Sequence, residues 1–136
     1  MIVKIITKKV FVMKLVCKQF IDSDTEKKVE TLSKEDEIIT CTLCNNHITD
    51  LCRQIIVNKS FNHTFANPHG QVFEIGCFSQ AKGCLPGSMG STEFSWFFGF
   101  SWQVGICNQC LTHLGWIFSS KSDSFYGLIL EKLKFP

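Results

Sequence analysis

Apolar and polar positions alternate with a period of two in several separate stretches, and no stretch carries a convincing helical period. Trp102, Val104 and Ile106 alternate with Gln103 and Gly105, Trp116 and Phe118 share one side of a second stretch, and Phe125 to Leu130 reads as a third. Gln71 to Ile75 has the same alternation, and Leu51 to Val57 is apolar and β-branched enough to predict a strand followed by a turn at Asn58 to Asn62. Asn67-Pro68-His69-Gly70 is a strong turn signal, because the residue before proline avoids the helical region and glycine tolerates positive φ. Cys77 to Gly90 reads as a loop of small, polar, glycine- and proline-containing sequence, and Lys132 to Pro136 as a tail. The pattern predicts a mostly β fold with long loops and no internal repeat.

Composition bounds this picture. The chain has 136 residues, 45% of them hydrophobic and 19% charged, which suits a single globular domain. Its net charge of +2 is far from the basic footprint of a nucleic-acid binder, so no nucleic acid is expected as a partner. Charge is unevenly spread. Lys4, Lys8, Lys9, Lys14 and Lys18 occupy the first twenty positions without an acid, whereas Asp22, Asp24, Glu26, Glu30, Glu35, Asp36 and Glu37 dominate the next segment. Residues 1–37 are therefore read as a leader, either a possible signal peptide or an extra strand within Ile2–Phe20, joined to an acidic linker. Residues 38–136 form the domain. No run approaches the roughly 18 apolar residues of a spanning helix, so an integral membrane protein is not expected.

Four of the eight cysteines form two C-x-x-C pairs, Cys41/Cys44 and Cys107/Cys110. Such a turn places two thiolates on one side of an ion with little strain, and two turns complete a tetrahedral shell, so the expected cofactor is one structural Zn2+ held by Cys41, Cys44, Cys107 and Cys110. Disulfides are the competing reading of the same cysteines. His47 and His113 lie near the pairs, as alternative ligands or, better, as hydrogen-bonding neighbours. Cys77 and Cys84 flank a loop that a disulfide would close, and Cys17 and Cys52 have no evident partner. With two N-glycosylation triplets, Asn58-Lys-Ser60 and Asn62-His-Thr64, these features lean toward a secreted protein over a cytoplasmic one.

Between the pairs, Trp96, Trp102 and Trp116 stand among Phe94, Phe97, Phe98, Phe100 and Phe118. Most of the phenylalanines suit an ordinary core. The tryptophans offer flat walls with polar N–H edges, as a site for a flat or cationic ligand requires.

Taken in order, Asn67-Pro-His-Gly70, Ser91-Thr-Glu93, Ser95-Trp-Phe97, Gly99, Trp102, Cys107-x-x-Cys110, His113-x-Gly115-Trp116 and Phe118 resemble the cereblon-type CULT (thalidomide-binding) domain family, in particular its stand-alone members. The resemblance covers about Ile38 to Leu133. It implies a zinc-stapled β-tent fold and a three-tryptophan pocket that sandwiches a cyclic imide, such as a glutarimide- or succinimide-like small molecule or modified peptide end. It makes Trp96, Trp102 and Trp116 the walls and Phe118 the floor, with Asn67 and Pro68 at the mouth and the imide edge bonded to the Phe94 carbonyl and Trp96 amide. Three positions depart from the family: Phe94 replaces a histidine that donates a side-chain hydrogen bond, Phe98 a proline, and Leu111 a glycine. The residues ahead of the domain are too few for the family's Lon-like domain, so no ubiquitin-ligase adaptor contact is expected. A non-enzymatic binder is thus the leading reading. An aromatic cage for quaternary ammonium or methyl-lysine, with Glu93 as its carboxylate, is an alternative. A zinc-containing methionine sulfoxide reductase of the B type is another, disfavoured because it needs a nucleophilic cysteine beyond Cys110.

Overall fold

The computed structural model describes residues 12–14 and 37–136. Their strands are β1 (Val12–Lys14), β2 (Ile38–Cys41), β3 (His47–Asp50), β4 (Ile55–Val57), β5 (Asn62–Ala66), β6 (Val72–Phe78), β7 (Cys84–Pro86), β8 (Ser101–Cys107), β9 (His113–Ser119), β10 (Ser124–Ile129) and β11 (Leu133–Lys134). A six-stranded sheet has the order β5-β6-β10-β9-β8-β7, a three-stranded sheet the order β11-β2-β3, and β1 pairs with β4. Every pairing is antiparallel. Among the described residues there is no α-helix, and no helix long and apolar enough to cross a membrane. Apart from Val12–Lys14 and Glu37, the leader and linker expected over residues 1–37, with Cys17, lie outside the described residues.

The six-stranded sheet is covered on both faces, and strand alternation decides which side chain goes where. In β10, Phe125 and Ile129 join one buried cluster with Trp96, Phe97, Trp116 and Phe118, while Leu128 joins the other with Ile39, Ile48, Cys107 and Leu114. In β9, Leu114 and Trp116 fall in opposite clusters although they are two apart, because Leu114 is the extra residue of a bulge: Gly105 pairs with Gly115 and Ile106 with His113. One face therefore carries the aromatic cluster and the other packs on the three-stranded sheet beside the cysteines.

Phe97 is the hub of the aromatic face. It meets Phe118, Phe125, Phe65 and His63 at ring-centroid distances of 4.8, 5.1, 5.4 and 5.4 Å, all close to edge-to-face, the arrangement favoured by ring quadrupoles. Phe97 and Phe100 are core, as expected, but Phe98 is 57% exposed.

Several local expectations need correction. Leu51–Arg53 is a 3-10 turn and only Ile55–Val57 is strand; the Arg53 carbonyl accepts from the Ser79 amide, so this backbone is satisfied outside a ladder. The turn after it is tight, with Asn58 and Lys59 at φ of 50° and 72° between reciprocal Val57–Ser60 bonds, so strand β5 begins at Asn62. The supposed loop from Cys77 contains the end of β6 and the short edge strand β7. The supposed tail contains β11, paired with Cys41 and Thr40. Cys77 and Cys84 are free thiols in different clusters. Their strands lie at separate places in the sheet with β10, β9 and β8 between them, about 19 Å at the usual strand spacing, too far for a bridge.

Candidate metal centre and aromatic cavity

The two cysteine turns are built alike. In the first, Cys41 N–H donates to Asn46 O (2.9 Å) and Asn45 N–H to Cys41 O (2.9 Å); in the second, Cys107 N–H donates to Thr112 O (2.9 Å) and Leu111 N–H to Cys107 O (3.0 Å). Each closes through a left-handed residue after its second cysteine, Asn45 at φ 61° and Leu111 at φ 65°. Asparagine adopts that conformation readily; leucine does so at a cost. Each turn also follows a register shift, between Ile39 and Thr40 in β2 and between Gly105 and Ile106 in β8. The extra residue lies in the returning strand in both cases, Ile48 in β3 and Leu114 in β9, so each bulge bends the strand that leaves the turn.

The result is a cluster in which the four Sγ atoms of Cys41, Cys44, Cys107 and Cys110 all lie within 4.8 Å of one another. Cys41 and Cys110 are 3.7 Å apart and Cys44 and Cys107 3.6 Å. A tetrahedron with metal–sulfur bonds of about 2.3 Å has edges of about 3.8 Å, so the donor set fits a zinc-sized ion. At Cys107 the outer partners favour thiolate. Against the effect of burial, N–H groups of Cys110 and Gln109, the Cys44 thiol and the Asn46 amide bring Cys107 down to about 6. Burial, reinforced by the neighbouring thiols, pushes Cys44 up to about 12. Cys84, opposite Cys107 across β7 and β8, is also pushed up to about 12 by burial and by Cys107, so it stays a thiol beside the cluster. His47 and His113 are engaged elsewhere. His47 Nε2 lies 2.7 Å from Asp50 Oδ1, and His113 Nε2–H donates to the Gly115 carbonyl at 3.0 Å.

On the other face of the sheet, Asn67, Pro68, Phe94, Trp96, Trp102, Trp116 and Phe118 line one cavity of about 320 Å3, joined by Ser91 and Glu93. Cross-strand register supplies part of it. Trp102 is directly opposite Phe118, and Val104 opposite Trp116, so Trp102 and Trp116 are diagonal neighbours. Trp96 comes from the loop before β8. Its ring stacks on Phe65 at 4.9 Å and stands at 70° to Trp116 with centroids 4.6 Å apart. Phe73 and His113 meet Trp116 edge-on at 5.0 and 4.8 Å.

The polar edges expected of the tryptophans are partly committed to the frame. Trp96 Nε1–H donates to Ala66 O (3.2 Å) and Trp102 Nε1–H to Glu93 O (2.8 Å). These bonds fix the rings and leave their faces to the cavity. The mouth is similarly tied. Asn67 Oδ1 accepts from the His69 and Gln71 amides at 3.0 and 2.9 Å, and Gly70, at φ 83°, completes the turn. Ser91 exchanges both backbone bonds with Trp102, and its Oγ accepts from the Glu93 amide. Ser91 was not among the site residues expected from the sequence; its place in the motif beside Glu93 was the only signal. Phe94, 54% exposed, is left-handed at φ 55°. Among the described residues, neither its carbonyl nor the Trp96 amide takes a hydrogen-bond partner.

Fold and site together define a β-sheet domain with a four-thiol cluster on one face and a tryptophan-walled cavity on the other. The chain is similar to the protein cereblon of several fruit flies: 27% identical over 108 residues for Drosophila yakuba, 26% over 126 residues for Drosophila persimilis and 29% over 108 residues for Drosophila virilis. The matches cover 74%, 85% and 74% of this chain but only 18%, 20% and 17% of those proteins, so the chain spans about a fifth of their length or less. No family model matches it.

Proposed function

We propose that residues 38–136 are a CULT domain of the cereblon type, a zinc-stapled β-tent whose cavity binds a cyclic imide, free or at a modified peptide end, without catalysing a reaction on it. One observation carries the reading: a single cavity is lined by all three tryptophans and by Phe94, and among the described residues the Trp96 amide and the Phe94 carbonyl take no hydrogen-bond partner. An imide edge alternates acceptor and donor, and is complementary to such a pair. The remaining ring atoms are apolar and suit the indole faces, and about 320 Å3 is small enough to favour a single ring over a larger ligand. The zinc ion, held by Cys41, Cys44, Cys107 and Cys110, would serve as a structural tie with no open position for chemistry.

Because Trp96 and Trp102 spend their N–H groups on backbone carbonyls, ligand reading falls to backbone polarity, shape and the third wall, Trp116. This favours a neutral planar imide over a cation, for which Glu93 supplies the one carboxylate at the cavity. The test is a titration of zinc-loaded protein with glutarimide, succinimide, uracil and trimethyllysine, followed by tryptophan emission. Quenching by the imides is expected. Unchanged emission with both glutarimide and succinimide at millimolar concentration would end this reading, and saturation by trimethyllysine alone would replace it with the cation cage.

A further inference from the structure

A second groove, of about 550 Å3, borders the aromatic cavity and is lined by Thr92, Phe94, Ser95, Phe97, Phe98 and Phe100, with Gly99 at its turn. Phe94 lines both spaces. Phe97 and Phe100 are buried, whereas Phe94 and Phe98 stand in solvent. No charged side chain lines this groove. Its serine is already occupied, since Ser95 Oγ donates to Phe97 O at 3.1 Å and accepts from the Phe97 amide at 3.4 Å. An occupant would thus meet aromatic carbon and little polar demand. The backbone holds the rim in place: Phe97 to Phe100 is a turn closed by a 3.1 Å bond with Gly99 at φ 83°, and Phe94 is held at φ 55°, a conformation that a bulky residue seldom adopts outside a constrained site.

We infer that this groove is the outer half of the ligand site, and that it takes an apolar side chain, aromatic or branched, on the residue preceding a peptide-terminal cyclic imide whose ring occupies the tryptophan cavity. The inference rests on the imide reading. The shared wall is what assigns the groove to the same ligand: Phe94 lines both spaces and is half exposed, so the groove is the apolar surface next to a group that leaves the cavity over its ring. Phe98 is the specificity-determining residue, since it lines the groove and not the cavity.

The experiment uses the full, zinc-loaded chain and two N-acetylated peptides that end in an aminoglutarimide, one with alanine and one with phenylalanine before it, with free glutarimide as the reference. Calorimetry should give the phenylalanine peptide about tenfold tighter binding, the factor expected when most of one ring face leaves water. Phe98→Ala should bring the ratio of the two peptides to within about twofold of unity, and Phe98→Leu should retain most of it. Zinc content and emission maximum establish that each variant is folded. Equal affinity of the two peptides for the wild type, or an undiminished ratio in Phe98→Ala, overturns the inference while leaving the imide reading intact. Absence of binding by all three ligands overturns both. Concentration-dependent dimers that disappear in Phe98→Ala would assign the groove to a second copy of the chain and overturn it too.

Discussion

Gly115 precedes Trp116 in β9 and lies opposite Leu128 of β10. Its φ of 154° belongs to a region that side-chain-bearing residues rarely enter, and a Cβ placed there would lie 2.8 Å from Leu128 Cα and 3.1 Å from the Gly127 carbonyl carbon, nearer still to the Gly127 oxygen. All three are backbone atoms of the neighbouring strand and cannot rotate away. For Gly115→Ala the backbone conformation costs about 1–3 kcal/mol, and forcing the strands apart about 1–3 kcal/mol more. A total of about 2–6 kcal/mol is a large share of the 5–15 kcal/mol that holds a typical domain together, and at about 4 °C per kcal/mol corresponds to a fall in Tm of about 8–24 °C. Gly70→Ala is the internal control. Its φ of 83° is also left-handed, but nothing lies within 4 Å of the added Cβ, so only the conformational cost of about 1 kcal/mol applies. Thermal unfolding of the two zinc-loaded variants, followed by tryptophan emission, separates steric from conformational cost. If they melt within about two degrees of each other, close strand approach at Gly115 does not set the geometry around Trp116.

Removing the metal with a chelator, or replacing Cys107 by serine, should unfold or loosen the domain, since structural zinc supplies roughly 10 kcal/mol or more of apparent folding free energy; far-UV circular dichroism and metal analysis check this. Phe98→Pro should stabilise by about 0.4–1 kcal/mol: the position precedes the left-handed Gly99 of a bonded turn, and the Phe98 amide donates to no described group. Burial, with a smaller contribution from Lys132 and against the Gly115 hydrogen bond, holds His113 below its ordinary 6.5. The unfolded chain then binds the proton first, so the stability His113 contributes is full above about pH 6.5 and falls as pH drops toward the folded value; urea melts across that range should flatten in His113→Asn. Phe94→His should restore a side-chain donor at the cavity and tighten glutarimide about fivefold by calorimetry, the equivalent of about 1 kcal/mol.

The features legible in the sequence are those that one strong local rule governs. Paired C-x-x-C turns announced the four-thiol cluster, and period-two alternation announced β8, β9 and β10, whose side chains divide between two unlike environments, the aromatic cluster on one side and the cysteine side on the other. Elements at the sheet margins were not legible. β5 reads Asn-His-Thr-Phe-Ala, polar enough to pass for loop, and becomes strand because β6 offers a complete ladder. β7 ends in a proline, which an edge strand tolerates. Leu51 to Arg53 had strand-like composition, but a tertiary hydrogen bond to Ser79 decided its backbone. Nor could composition reveal that the Trp96 and Trp102 N–H groups would be consumed by carbonyls of Ala66 and Glu93, because those partners are set by where loops cross. One sheet joins the cysteine cluster to the cavity. β8 carries Trp102 near its start and Cys107 at its end, and β9, which carries Trp116, begins three residues after Cys110. An ion held at the cysteines therefore ties together the ends of the two strands whose opposite face carries two of the walls. Loss of such an ion should accordingly remove ligand binding together with the order of these two strands.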